Sequence, residues 1–384
     1  MAAQAVSAAF RPISADSHVA EPPGCYVDHI ERKYKDTAPK LISDQDGGDS
    51  FAIEGLPGTV PVGIISAAGI PAEDLKVGGK RFAEAPEGAW NPKARIAAQD
   101  KDGVAAEIIY PSVGMVLCNH PDADYKQACF WAYNRWLAEE FVAGAPDRLI
   151  GLGQSAVRSV EEAIADLVKF KEMGFRGAML PGNPSTEEDY IDPKFDPLWR
   201  ASIELQMPLS FHVLTSKADG ANSIRSQTTR ATGHDRSRWQ RPLQIIRVNQ
   251  DLITMFILGR IFERHPDLKI VCVEADAGWA PHLMHRLDHG YRRFRYMNGN
   301  GDLARMPSEY FKENVYMTFQ DDVVAYRMTD MVNPRRLLWA NDYPHSDSTW
   351  PHSQEILAEQ TADMSEAEKR MILRDNVAEL YRLH

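Results

Sequence analysis

Ile13-Ser14-Ala15-Asp16-Ser17-His18-Val19 is a short run of mostly small and apolar residues that ends in an acid and an imidazole. In a doubly wound sheet that binds nucleotides, the turn after the first strand is glycine-rich, so that the backbone can approach a phosphate. Here that place holds Asp16-Ser17-His18-Val19, which argues against that architecture. Side chains two apart share one face of a strand, so Asp16 and His18 point the same way, as they would into a closed barrel. Outward from this stretch the chain repeats one unit, a short apolar strand followed by an amphipathic helix. Strands are expected at Ile13–His18, Ala105–Tyr110, Leu149–Gly153, Gly177–Leu180, Pro208–His212, Lys269–Glu274, Val315–Thr318 and Leu337–Ala340. Helical patterns cover Val160–Met173, Phe195–Leu205, Leu243–Arg264, Trp279–Arg295 and Ser365–Leu383. Apolar strands alternating with helices imply a parallel sheet covered on both faces. Eight of them predict an α/β fold, a (β/α)8 TIM barrel with its site at the C-terminal ends of the strands.

Composition bounds the partners. The chain has 384 residues, 44% hydrophobic and 25% charged, with 43 Lys plus Arg against 54 Asp plus Glu, a formal net charge of −11. An acidic surface argues against nucleic acid and anionic membranes as main partners, and no apolar run reaches the 18 residues of a membrane span. Cys25, Cys118, Cys129 and Cys272 form no C-x-x-C pair, so reduced thiols and a cytoplasmic location are expected. Residues 1–12 read as a frayed N-terminus without the basic start of a signal peptide, and 13–384 as one metal-dependent barrel.

Two insertions interrupt the alternation. The first, about residues 21–100, is rich in Gly, Pro and Asp and is expected to form a small irregular cap after strand one. The second, Leu214–Trp239, is a basic loop after strand five. It sets Lys217, Arg225, Arg230, Arg236 and Arg238 against Asp219 and Asp235. It is either a solvated loop or a lid or subunit contact that attracts an anionic substrate.

Four residues at strand ends carry the chemistry. Asp16 and His18 close strand one, His212 closes strand five in Pro208-Leu209-Ser210-Phe211-His212, and Asp342 follows strand eight in Asn341-Asp342-Tyr343-Pro344-His345. Each alone could be structural. An acid after an apolar strand is costly to bury without a partner, and a barrel brings all four to one end. Two imidazoles and two carboxylates there suit one divalent ion, Zn²⁺ first and Mn²⁺ next.

Asp16-Ser17-His18-Val19-Ala20-Glu21-Pro22, the His212 strand end, Glu274-Ala275-Asp276-Ala277-Gly278-Trp279-Ala280-Pro281 and Asn341-Asp342-Tyr343-Pro344-His345 together resemble the amidohydrolase-related family. The branch resembled contains aminocarboxymuconate-semialdehyde decarboxylase and γ-resorcylate decarboxylase. The resemblance implies a single-metal barrel, a small carboxylate substrate and assembly as a dimer or tetramer, with Asp16, His18, His212 and Asp342 as metal ligands. Relatives often carry His or Glu where this chain has Asp16, a competent ligand all the same. Decarboxylating relatives usually carry histidine where it has Glu274, which could ligate the metal, act as a base, or pair structurally with an Arg.

His345 could donate a proton, touch substrate or support a ligand. Glu21 could orient His18 or cap the turn at Pro22-Pro23. His282, His285 and His289 share one helix face and are expected at a surface or interface, and Trp131, Tyr133 and Trp136 in packing. Two reactions suit this set of ligands: decarboxylation of a small aromatic or unsaturated acid, which the family favours, and hydrolysis by a metal-activated water, with Asp342, Glu274 and His345 as catalytic groups in either. A non-catalytic ligand-binding barrel is the rival outside enzymes, and retention of both Asp and both His argues against it.

Overall fold

The computed structural model describes residues 10–216, 241–297 and 303–383. In chain order the strands are β1 (Ile13–His18), β2 (Lys40–Ser43), β3 (Asp49–Ala52), β4 (Thr59–Pro61), β5 (Ala106–Tyr110), β6 (Leu149–Gly151), β7 (Gly153–Gln154), β8 (Ala178–Met179), β9 (Leu209–His212), β10 (Ile270–Val273), β11 (Val315–Phe319) and β12 (Leu337–Trp339). Every expected barrel strand is present, most of them a residue or two shorter than their apolar runs. β1, β5 and β6 pair in parallel, as do β7 through β12 in sequence order. These form the (β/α)8 barrel.

The third barrel strand is one expected run divided into β6 and β7 at Leu152. Its flanking glycines let neighbouring aromatic rings press on the backbone: a Cβ on Gly153 would lie 2.4 Å from the ring of Phe170, in the helix Val160–Glu172, and one on Gly151 would lie 2.7 Å from Phe175, in the loop after it. The ring closes at the mouth. Asp342 N donates to the Asp16 carbonyl (3.0 Å) and His18 N to the Tyr343 carbonyl (2.6 Å). All barrel strands are buried along their length, as helices outside and packed side chains inside require.

Three sequence expectations change. Leu243–Arg264 is two helices, Arg241–Leu258 and Ile261–Arg264, because Arg260 turns left-handed at φ +61° and ends the first. The Ser365–Leu383 helix contains a wider π turn at Met371–Asp375. The first insertion is more ordered than an irregular cap. It holds the antiparallel sheet β2-β3-β4 and an 11-residue helix, Pro92–Asp102, capped by Asn91. Strands of three or four residues, with β2 largely exposed, leave no apolar run to read. The helix Ala123–Trp136 was also not anticipated; it buries Tyr133 and Trp136 in the core, while Trp131 Nε1 donates to Asp166 (3.2 Å).

The cap lies on the loop after β12: Ala68 N donates to the Pro344 carbonyl (3.0 Å) and Ser346 N to the Ile64 carbonyl (3.1 Å). All four cysteines are free and buried. Among the described residues no helix is long and apolar enough to cross a membrane. Of the frayed N-terminus expected over residues 1–12, residues 1–9 lie outside the described residues, while Arg11 and Pro12 are held: Arg11 Nη2 donates to the Val104 carbonyl (2.8 Å) and Ala105 N to the Pro12 carbonyl (2.7 Å). The charged residues of the Leu214–Trp239 insertion also lie outside the described residues.

Candidate metal centre

β1 carries one extra residue opposite β5, a bulge between Ser14 and Ser17. Bulges re-aim side chains, and both Asp16 and His18 here face the barrel interior with no exposure. His18 Nδ1 donates to the Pro111 carbonyl (2.9 Å) and His212 Nδ1 to the Val213 carbonyl (3.0 Å). A carbonyl only accepts, so each ring carries its proton on Nδ1 and presents the Nε2 lone pair inward. The two Nε2 atoms lie 3.2 Å apart. Three carboxylates gather on them: Asp16 Oδ1 at 3.3 Å, Asp342 Oδ1 at 3.4 Å and Glu274 Oε2 at 3.7 Å from His18 Nε2, with Glu274 Oε2 at 3.3 Å from His212 Nε2.

Asp342 and Glu274 reach inward from strained backbone. Their φ angles are +53° and +57°, in the left-handed region that costs a residue with a Cβ about 1–2 kcal/mol. Such strain marks places where surrounding structure over-determines a geometry. Thr318 supports this arrangement from β11: its Oγ1 accepts from Glu274 N (2.8 Å) and lies 3.5 Å from Asp16 Oδ2.

His345 joins from the edge. Its ring stacks on His18 at 3.8 Å and its Nδ1 lies 3.2 Å from Asp342 Oδ1. Ser112 fixes the tautomer. The Ser112 hydroxyl donates to the Val19 carbonyl (2.6 Å), so at His345 Nε2 (2.7 Å) it must accept. The proton therefore sits on His345 Nε2, and Nδ1 turns a lone pair toward Asp342. Burial, then the charge of Glu274, pushes the Asp342 carboxyl well above the usual carboxylate range. Burial, then His18 and His212, pushes His345 well down.

All six residues singled out from the sequence thus converge. Asp16 Oδ1, Glu274 Oε2 and both Asp342 oxygens are buried without a hydrogen-bond partner. Orphaned carboxylate oxygens facing two imidazole lone pairs are costly unless a cation binds among them, so the donor set fits a divalent metal. Glu274 faces His18 and His212, and among the described residues it pairs with no Arg, which argues against the reading of a structural acid. Glu21 neither orients His18 nor caps the Pro22-Pro23 turn; it accepts from the backbone N–H groups of Ser112, Val113 and Gly114 (3.1–3.2 Å) and from the Tyr26 hydroxyl. His282, His285 and His289 lie exposed on the outer helix Ala280–Phe294.

Residues 80–383 match the family model described as amidohydrolase. The chain belongs to the amidohydrolase family. It is an enzyme of that superfamily. Among solved structures, this amidohydrolase superposes on one from Mycobacterium avium subsp. paratuberculosis with TM-score 0.75 and 22% identity, covering 98% of this chain and 100% of the other. A 5-carboxyvanillate decarboxylase from Novosphingobium aromaticivorans, with bound manganese and a nitrobenzoic acid, gives 0.68 and 20% over 98% of each chain. A dihydroxybenzoic acid decarboxylase from a Polaromonas species, with bound manganese and 2-nitroresorcinol, gives 0.65 and 20% over 97% of each.

Sequence reasoning missed Ser112, Thr318 and the carbonyl of Pro111. All three sit at or just past strand C-terminal ends, where the barrel rule would have directed attention.

Proposed function

We propose that this amidohydrolase is a divalent-metal-dependent decarboxylase of a small aromatic carboxylic acid. One observation carries the reading: two inward Nε2 lone pairs and three carboxylates with unpartnered, buried oxygens meet at the barrel mouth. Asp16, His18, His212, Glu274 and Asp342 would hold the ion. Three hard carboxylates support Mn²⁺, as does the manganese bound in the two decarboxylases of the same fold; Zn²⁺ is the alternative. When bound, the ion supplies Lewis acidity that orients the substrate carboxylate and a neighbouring oxygen.

The chain's own groups handle the proton. Asp342 delivers it to the ring carbon that bears the carboxylate. The carbon–carbon bond then breaks, its electron pair returns to the ring, and carbon dioxide leaves. His345, held by Ser112, points its Nδ1 lone pair at Asp342 from 3.2 Å and so orients the acid's proton; water that enters as product leaves returns that proton to Asp342. Burial of the site excludes competing water.

Hydrolysis is the second reading, and Glu274 favours it. At 17% side-chain exposure it is the only one of the three carboxylates open to solvent, and it could take a proton from water. Isotopes separate the two on a panel of aromatic acids with a neighbouring hydroxyl together with their esters and lactones. Decarboxylation in D₂O places one deuterium on the ring carbon and releases CO₂. Hydrolysis in H₂¹⁸O labels a product carboxylate. Labelled carboxylate without CO₂ would overturn the decarboxylase reading.

A further inference from the structure

Arg95 is fully buried. It lies on the cap helix Pro92–Asp102, outside the cluster of candidate ligands. A guanidinium without exposure is expensive unless its donors are used, and their distribution here is informative. Only Nε serves the neutralising carboxylate, Glu107 Oε2, at 2.6 Å. Nη1 donates to the Gly88 carbonyl in the cap at 2.8 Å. Nη2 donates to the carbonyl of His18 and, at 3.2 Å, to that of Tyr343. The Tyr343 carbonyl also accepts from His18 N at 2.6 Å. Arg95 therefore pins the C-terminal end of β1, at His18, to the turn that carries Asp342. The Tyr343 ring covers the guanidinium at 4.6 Å. Asp342 sits at φ +53°, a region that aspartate enters as a single residue fixed by its surroundings.

We infer that Arg95 is a positioning residue: its fork holds His18 and the Asp342 turn in the arrangement that binds the metal, and so couples the cap to the metal centre. A residue needed only to neutralise Glu107 would not spend three of its four hydrogen bonds on backbone carbonyls. This inference rests on the metal reading proposed above.

The test is Mn²⁺ titration of metal-free protein, following free Mn²⁺ by electron paramagnetic resonance, with thermal melts on the same samples. Arg95→Lys keeps the charge beside Glu107 but lacks the planar fork. The double variant Arg95→Met with Glu107→Leu removes the ion pair, a change cores often tolerate. Both should melt cooperatively and bind Mn²⁺ about 10- to 100-fold more weakly, the usual effect of losing a group that orients ligands. Phe170→Leu, in the outer helix Val160–Glu172, should lower the melting temperature and leave Mn²⁺ affinity unchanged. Wild-type affinity in Arg95→Lys overturns the inference even if the double variant does not fold. Equal weakening in Phe170→Leu overturns it too, since the loss would then follow stability. A wild type that binds no Mn²⁺ or Zn²⁺ overturns the metal reading itself and this inference with it.

Discussion

At Asp342 three demands meet on one side chain. It adopts left-handed backbone, turns two unpartnered oxygens into the centre, and faces the Nδ1 lone pair of His345. Asparagine tolerates the same backbone region and keeps one ligand oxygen, but it cannot carry the proton. In Asp342→Asn we expect partial metal retention and kcat lower by about 10²-fold or more, the scale of a positioned acid. The measurement is metal content beside CO₂ release on the best acid of the panel, and near-wild-type turnover would remove Asp342 from the chemistry. His212→Ala is the counterpart. It deletes one of the two Nε2 lone pairs on which the three carboxylates gather, so it should emerge from purification with most of its metal gone.

Between elements, buried acids act as caps. Glu21 caps the turn at Ser112–Gly114, which steadies the hydroxyl that sets the His345 tautomer. Asp102 ends the cap helix and begins another: it accepts from Ser353 N (3.1 Å), Ser353 Oγ (2.7 Å) and Asn341 Nδ2 (3.2 Å). Burial, against those hydrogen bonds and aided by Glu107, pushes its carboxyl up to about 6. In the unfolded chain the value is about 3.9. The folded state therefore binds this proton more tightly, and the stability Asp102 adds is greatest below about pH 4 and is lost as pH rises through 6. Asp102→Asn should flatten the dependence of melting temperature on pH between about 4 and 6. An unchanged slope in that window would show that other groups set it.

For the whole molecule, the metal would join opposite sides of one ring. Its candidate ligands come from β1, from β9 and from the turns after β10 and β12, so no short segment could hold it in an unfolded chain. An ion that binds only the folded state stabilises by mass action, by about 2.7 kcal/mol at 100 times its dissociation constant. Dialysis against a chelator should lower the melting temperature by about 3–6 °C, and added Mn²⁺ should restore it. His212→Ala should respond to neither treatment. A wild type that melts identically with and without chelator would mean that the site adds nothing to folded stability.

The sequence by itself determined the strand–helix alternation, because apolar periodicity is a local signal, and it located Asp16, His18, His212, Glu274, Asp342 and His345 at or just beyond strand ends. Barrel geometry sends those ends to one face, so the membership of the cluster was legible before any distance was known. The cap sheet β2-β3-β4 was not, since its strands are short and half exposed. Tertiary structure alone decided the states of the site. The His18 tautomer depends on a carbonyl 93 residues away and the His345 tautomer on a hydroxyl 233 residues away. The partners of Arg95 lie 7, 12, 77 and 248 residues along the chain. Hydrogen bonds of that span leave no periodic trace in a sequence; they exist only once the ring has closed.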